Sequence, residues 1–483
     1  MLRLTEASQA EFTTWLNNAP RPHVGILAGP SLIIDESWEV KLRPDGALLQ
    51  SLWTKDASGR LLWTQDGVVE ELTRRSCVRG WEWVRSATTA WRVLHSSKGP
   101  ALPSDMRSAL AEVQRDRDIA RYTLDATRFE AILATSSACG IRVDLAALDE
   151  TRAGMARTHK QVTDVMGFDP LRESNDARTL GWLDRHGIRA ASVHSDDWAA
   201  RDVTRTALTS DAEHVYERVL YLRRRYPKVL ELARATKRGK AHSRLEPFAQ
   251  VSGRVSSTKP ALNNIAADLR FLLVAEEGHT FITADYDGIE PRVLAGLSRD
   301  EVLAADLAHG DPYADAAERA GFDRVTHRKL MKIVMISTMY GASASRTARQ
   351  LNVPLATAQR IRAALWAPYP VARAWLDAET GLTRPPLDSG RPLGVVERGY
   401  ARPNLLIQST AYDLFQAAAL RVHDDLPRGA RIALPMHDEL VITSPIAATA
   451  AVQGVLRQHM PTTYRGISIN ATPVELGAHW RKA

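Results

Sequence analysis

The chain has 483 residues, 45% hydrophobic and 25% charged, enough for about three ordinary domains with real cores, so a disordered chain is excluded. Lys and Arg outnumber Asp and Glu by 63 to 56, and the net +7 suits a polyanionic partner because each neutralised phosphate releases a condensed counterion. Two cysteines rule out a disulfide framework or a Cys-rich zinc site; no apolar run reaches the roughly 20 residues that span a bilayer, and Met1–Ala10 lacks the pattern of a secretory leader, so a cytoplasmic protein away from membranes is expected.

Up to about Pro103, short β-like runs alternate with Gly, Pro and Asp turns: His23–Leu27, Ser31–Ile34, Trp38–Leu42, Gly46–Trp53 and Arg60–Trp63. Tryptophans cluster in this segment, and such clusters more often mark a core than a binding surface. Beyond it the period turns helical, with apolar residues three and four apart in Met106–Arg117 and Ala126–Ala138. Gly140 ends the second helix, Ile141–Asp144 reads as extended, and long helices follow at Thr151–Met166 and Asp211–Lys237. From Arg223 to Arg244 nine basic residues face only Glu231. That run reads either as a solvated helix face or as a surface that tracks a nucleic-acid backbone, and the motifs further along favour the second. Gly239 opens a turn-rich stretch, Thr280–Ala284 is β-like, and helices resume at Glu290. Arg431–Leu434 and Leu440–Thr443 read as strands flanking Pro435–Glu439. No internal repeat is evident, and mixed helices with a small antiparallel sheet point to α+β layers rather than alternating βαβ units.

Three features carry chemistry. In Thr283–Ala295 an apolar strand delivers Asp285 at its end, and Pro291 suits the first turn of the next helix. Alone, this aspartate reads equally as a helix N-cap. His437-Asp438-Glu439 sits between two apolar runs as a hairpin turn would, and turns are commonly rich in Asp. Two strand-borne aspartates brought together repel and call for a bound cation. That is the requirement of two-metal phosphoryl transfer, with ions about 3.5–4 Å apart. The third feature is a helix expected over Arg324–Tyr340, where Arg328, Lys332, Ile336 and Tyr340 fall at steps of four along one face. Its cations can grip a triphosphate while the aromatic stacks on a base or sugar; the plainer reading is a solvated basic face running into buried Ile and Tyr. Gly341 stops the helix.

Taken in order, these pieces resemble the family A DNA polymerases, the bacterial DNA polymerase I group. Ser252–Thr258 resembles the T-G-R-x-S-S-T signature, Asp285–Ala295 motif A, Arg328–Gly341 motif B with its R-x3-K-x7-Y-G spacing, and His437–Glu439 motif C. Asn404 and Gln408–Asp413 resemble the N-A-P-M-Q-G-T-A-A-D run. The resemblance covers about residue 120 to the end. It implies an α+β right-hand architecture: thumb about 145–240, palm about 241–298 and 396–483, fingers about 299–395, all within a polymerase domain of 118–483.

By position, the resemblance makes Asp285 and Asp438 the ligands of two Mg2+ ions (Mn2+ as an alternative), with the Tyr286 carbonyl as a further ligand. Arg328 and Lys332 would hold the triphosphate. Tyr340 and Ile336 would shape the nascent pair, and Glu290 packed on Tyr340 would exclude a ribose 2′-OH. Arg254 would read the minor groove at the primer end; Asn404, Gln408 and His437 would touch primer–template DNA; Glu439 would support the metal site. The implied partners are primer–template DNA and deoxynucleoside triphosphates, acting on a monomer in DNA replication or repair. The chain departs from the family pattern at Ile336, where an aromatic is expected, at Asp287-Gly288 in place of Ser-Gln, at Pro291 in place of Leu, and at Pro435 before motif C. None removes a metal ligand or phosphate cation. Discrimination at the sugar 3′ position and mismatch handling are the properties these changes touch.

Residues 1–117 resemble a shortened, α/β exonuclease-like domain. Its best acidic pair, Asp35-Glu36, is adjacent rather than alternating, so the two side chains point to opposite faces of a strand. A polymerase without proofreading, and without room for a separate 5′-nuclease domain, is therefore expected. Two other classes compete: a single-subunit RNA polymerase, disfavoured by the acidic Glu290, and a catalytically silent DNA-binding protein, disfavoured by the presence of Asp285, Asp438 and Lys332 together.

Overall fold

The computed structural model describes residues 2–18, 23–28, 31–34, 38–41, 62–64, 84–86, 117–188, 193, 211–351, 353–378, 387–391, 393 and 402–481. At the amino-terminal end six short strands form one mixed sheet. His23–Ala28 and Ser31–Ile34 make a tight antiparallel hairpin, Trp38–Lys41 continues it, and Leu62–Thr64 and Val84–Ser86 add to the other edge in parallel. Leu2–Arg3 runs parallel to Trp38–Lys41 at the far edge. Helix Gln9–Asn18 presents Phe12 and Leu16, both fully buried, and the Phe12 ring meets Trp38 edge-on at 5.0 Å. This tryptophan is core, as its composition suggested. The expected strand at 46–53, the expected helix at 106–117 up to its last residue, and the pair Asp35-Glu36 lie outside the described residues.

Helix Arg117–Cys139 starts nine residues before the expected Ala126, and Phe129 packs edge-on against Tyr412 and Phe415 of helix Arg402–Asp425. Strand Ile141–Val143 and the N-cap at Asp144 follow; the Asp144 side chain accepts from the Ala147 amide at 3.0 Å, so the next helix, Leu145–Met166, begins six residues earlier than its apolar period suggested. It closes on Gly167 at φ 74 and packs against helix Asp211–Ala235, which carries Pro227 in its interior.

The centre is a four-stranded antiparallel sheet ordered Arg431–Met436, Glu439–Pro445, His279–Tyr286, Ala471–Gly477. From Thr280 to Ala284 every residue is buried; helix Thr449–His459 packs on the sheet's three inner and far-edge strands and helix Arg117–Cys139 on its edge strand Arg431–Met436. A strand buried on both faces tends toward a continuous apolar run, and this one keeps Phe281, Ile282 and Ala284, with Thr280 and Thr283 buried through side-chain hydrogen bonds to Glu475 and Glu439. Helices Glu301–His309, Pro312–Arg319, Arg328–Met339, Ala344–Leu351, Leu355–Trp366 and Pro370–Ala378 are inserted between the first and second of these strands in chain order. Helix Arg328–Met339 begins four residues later than expected. The Asp323 carboxylate accepts from the amides of Val325 (3.1 Å) and Thr326 (2.8 Å) and from the Thr326 hydroxyl (2.8 Å), which folds 323–327 into a turn instead.

Candidate active site

Asp285 and Asp438 come together at one end of the central sheet. Asp285 pairs in register with Glu439, the residue after Asp438, and the Tyr286 amide donates to the Asp438 carbonyl at 3.3 Å. His437 adopts a left-handed φ of 57, which turns the chain tightly between the two strands and leaves Asp438 at the hairpin tip. In this central strand Asp285 alone is exposed, facing out of the sheet's end. The helix that follows is capped by Gly288 at φ 60, so Asp285 is not its N-cap.

Burial, then the neighbouring Asp285, pushes the Asp438 carboxyl up to about 7, with Arg254 offsetting part of the effect. Two carboxylates crowding one space in this way lack neutralising charge. Among the described residues no group of three or more His, Cys, Asp or Glu is arranged to hold a metal ion, so oxygen donors for a cation here would have to come from the two carboxylates and from backbone such as the Tyr286 carbonyl, which accepts from the Gly288 amide at 2.8 Å. Hard oxygen donors of this number fit Mg2+, which commonly takes one or two carboxylates and fills its remaining positions with water and substrate phosphates.

Glu439 lies beneath, 3% exposed; one of its oxygens accepts from the Thr283 hydroxyl and the other is 3.9 Å from the Arg270 guanidinium, which stacks over Trp480. Tyr286 anchors the opposite side by donating its hydroxyl to the Met460 carbonyl at 2.6 Å.

Beside the aspartates, Glu290 is buried and accepts from the Tyr340 hydroxyl at 2.8 and 3.1 Å and from the Arg254 guanidinium. Burial and Glu290 push the Tyr340 hydroxyl up to about 12, so it stays protonated and donates. Burial and the nearby Arg254 charge lower the His437 imidazole below its ordinary value, so it is neutral near pH 7. Arg254, expected to face the DNA, is thus paired with Glu290 in this structure.

On helix Arg328–Met339, Lys332 is exposed, Ile336 half-buried, and Arg328 donates through Nε to Asp311 at 2.5 Å. Asn404 and Gln408, one turn apart on helix Arg402–Asp425, are half-buried, and the Asn404 side-chain oxygen has no hydrogen-bond partner in the protein.

The basic run at 223–244 is less open than expected. Arg223 binds Asp176 (2.6 Å) and the Pro170 carbonyl, Arg225 is buried against Asp268 (2.5 Å), Lys240 meets Glu276 (2.6 Å) and Arg244 meets Glu246 (2.7 Å). The chain's distant acids neutralise much of it, leaving Arg224, Arg234, Lys237 and Arg238 exposed.

Residues 210–384 match the model for DNA polymerase family A. The chain is 27% identical over 401 residues to the thermostable DNA polymerase I of Thermus aquaticus, covering 73% of this chain and 47% of that protein. It is 29% identical over 277 residues to the DNA polymerase I of Deinococcus radiodurans, covering 50% and 28%. Over these stretches the chain is similar to DNA polymerase family A. It spans about half the length of the Thermus relatives it matches. Its fold follows that of the POL domain of Pol1 from M. smegmatis, solved in complex with DNA primer-template and dNTP, at a TM-score of 0.75 and 19% identity over 99% of both chains.

Two of the residues that depart from the family A pattern have local explanations. Asp287 binds Arg292 through both its side chain (2.9 Å) and its carbonyl (2.7 Å), and Gly288 supplies the left-handed cap. One buried cluster escaped the sequence reading. Arg391, 1% exposed, donates to Asp413 at 2.9 Å and to the carbonyls of Ser252 and Ser409 at 3.1 Å, with its guanidinium within 6 Å of the Tyr122, Phe248 and Tyr412 rings. Tyr122 and Ser389 donate to the same Asp413. It ties helix Arg117–Cys139, the Ser252–Gly253 turn and helix Arg402–Asp425 together. No spacing rule links Arg391 to Asp413; the Asp in the Gln408–Asp413 run was the sole signal.

Proposed function

We propose that this chain is a template-directed DNA polymerase that adds deoxynucleotides to a primer 3′ end by two-metal phosphoryl transfer. The observation that carries this reading is the meeting of Asp285 and Asp438 beside the Glu290–Tyr340 pair, with the Asp438 carboxyl raised to about 7. Bound Mg2+ would lower the pKa of the primer hydroxyl and neutralise charge on the departing pyrophosphate. Asp285, Asp438 and the Tyr286 carbonyl would hold the ions, and Glu439, clasped by Thr283 and Arg270, keeps the hairpin in place beneath them. The primer 3′ oxygen attacks the α-phosphorus, its proton leaves to solvent, and the bond to the β-phosphate oxygen breaks to release pyrophosphate.

Arg328 and Lys332 would bind the triphosphate, and Tyr340 with Ile336 would bound the nascent pair. Glu290, immobilised by Tyr340, occupies the space where a 2′-OH would lie. Asn404, Gln408 and His437 would meet primer–template DNA. Arg254 would reach the primer's minor groove after exchanging Glu290 for DNA.

The reading extends to the whole protein as a monomer acting in the cytoplasm in replication or repair. On this reading residues 1–117 would be a degenerate exonuclease-like region without proofreading and 118–483 the polymerase, with thumb about 145–240, palm about 241–298 and 396–483, and fingers about 299–395. Among the described residues no helix is long and apolar enough to cross a membrane. Primer extension tests the reading: Asp285→Asn and Asp438→Asn each remove nearly all Mg2+-dependent turnover while salt-sensitive duplex binding persists. Full turnover by either variant overturns it. Metal-dependent removal of a 3′ mismatch, abolished by Asp35→Ala, overturns the absence of proofreading.

A further inference from the structure

Of the two cations on the exposed face of helix Arg328–Met339, one is restrained and the other is not. Lys332 is exposed and forms no ion pair among the described residues. Arg328 donates through Nε to Asp311 Oδ2 at 2.5 Å, and its guanidinium lies 5.4 Å from the centre of the buried Tyr313 ring. Asp311 is itself fixed. Its other oxygen accepts from the amides of Tyr313 (3.2 Å) and Ala314 (3.1 Å), which caps helix Pro312–Arg319, and Pro312 at the first helical position has no amide to compete. One carboxylate therefore holds a helix start with one oxygen and an arginine with the other.

We infer that Asp311 is a positioning residue that holds Arg328 in the nucleotide-free protein and must surrender it to the incoming polyphosphate, so that it sets how tightly triphosphates bind. The inference rests on the polymerase reading. The arginine–carboxylate contact has a physical cost for the nucleotide: the polyphosphate gains Arg328 only by replacing an anion already there, and Asp311 stays close by as a like charge. When pyrophosphate forms, the same carboxylate competes for Arg328 again and favours release. The Tyr313 ring keeps the guanidinium near its place during the exchange, because an aromatic face attracts a cation whichever anion it is paired with.

Asp311→Asn separates the two jobs, since Asn caps a helix about as well as Asp and removes the charge. In single-nucleotide extension of a primed template by the full chain, Asp311→Asn should lower KM for the deoxynucleoside triphosphate about two- to fivefold, the range expected for a half-exposed ion pair, and lower the inhibition constant of inorganic pyrophosphate in parallel. Thermal unfolding should be little changed, whereas Asp311→Ala should lower Tm through the lost cap. In an Arg328→Ala background the KM effect of Asp311→Asn should vanish. An unchanged or raised KM in Asp311→Asn, or a fall that persists without Arg328, overturns the inference while leaving the polymerase reading intact. Failure of the wild-type chain to extend the primer overturns both.

Discussion

Asp438→Asn should make the metal-free protein more stable while abolishing turnover. An ordinary aspartate ionises near 3.8, and burial with Asp285 alongside raises Asp438 to about 7. Holding the group that far from its ordinary value corresponds to about 4 kcal/mol at full effect. Solvent reaching the half-buried carboxylate screens this to about 2 kcal/mol. Because the folded-state value is raised, the unfolded chain releases its proton more readily than the folded one. The penalty is therefore absent below about pH 4, grows as pH rises between the two values, and is complete above about pH 7. Urea unfolding in EDTA, run from pH 4 to 8.5, should give the variant no advantage in acid and about 2 kcal/mol at pH 8. Mg2+ should reverse the order, since an ion binding the two carboxylates stabilises the wild type by mass action and has lost a ligand in the variant. A variant less stable than wild type at pH 8 in EDTA, or an equal gain at pH 4, would refute the claim that burial beside Asp285 penalises the ionised Asp438 carboxylate.

The buried cluster offers a second test: Arg391→Ala leaves Asp413, 8% exposed, without its ion partner and should cost about 3–5 kcal/mol, read as faster hydrogen exchange in helix Arg402–Asp425. A change under 1 kcal/mol would mean that Tyr122 and Ser389 satisfy the carboxylate alone. Gly253→Ala should cost about 2–4 kcal/mol in urea unfolding, because φ is +94 and a Cβ would stand 2.8 Å from the Tyr412 ring and 3.3 Å from the Arg391 guanidinium. Glu290→Ala should raise ribonucleotide use relative to deoxynucleotide by at least about tenfold in competitive extension, and an unchanged sugar preference would remove Glu290 from that role.

Element types were legible wherever the apolar period was strong. The central strand His279–Tyr286 and the hairpin Arg431–Pro445 contain the expected runs, and each is longer at its ends because cross-strand bonding continues past the apolar residues. Boundaries failed where a single polar side chain decided them: Asp144 started one helix early, and Asp323 delayed another. The basic run is more paired than its composition suggests, for a related reason. A count of charges over 223–244 cannot see Asp176, Asp268 and Glu276, which arrive from other elements to pair with it.

Sequence by itself determined the inventory of the site: which carboxylates, cations and aromatic exist, in what order, and on which kind of element each sits. Periodicity, turn residues and motif spacing are local properties, and they need no knowledge of where the chain returns. Tertiary structure alone decided the pairings. Glu439 meets Thr283 across 156 residues, Tyr122 meets Asp413 across 291, and Arg254 turns from its expected groove to Glu290, 36 residues on. Such contacts form because burying a charge or hydroxyl without a partner is costly, so the packed core selects whichever distant group can satisfy it.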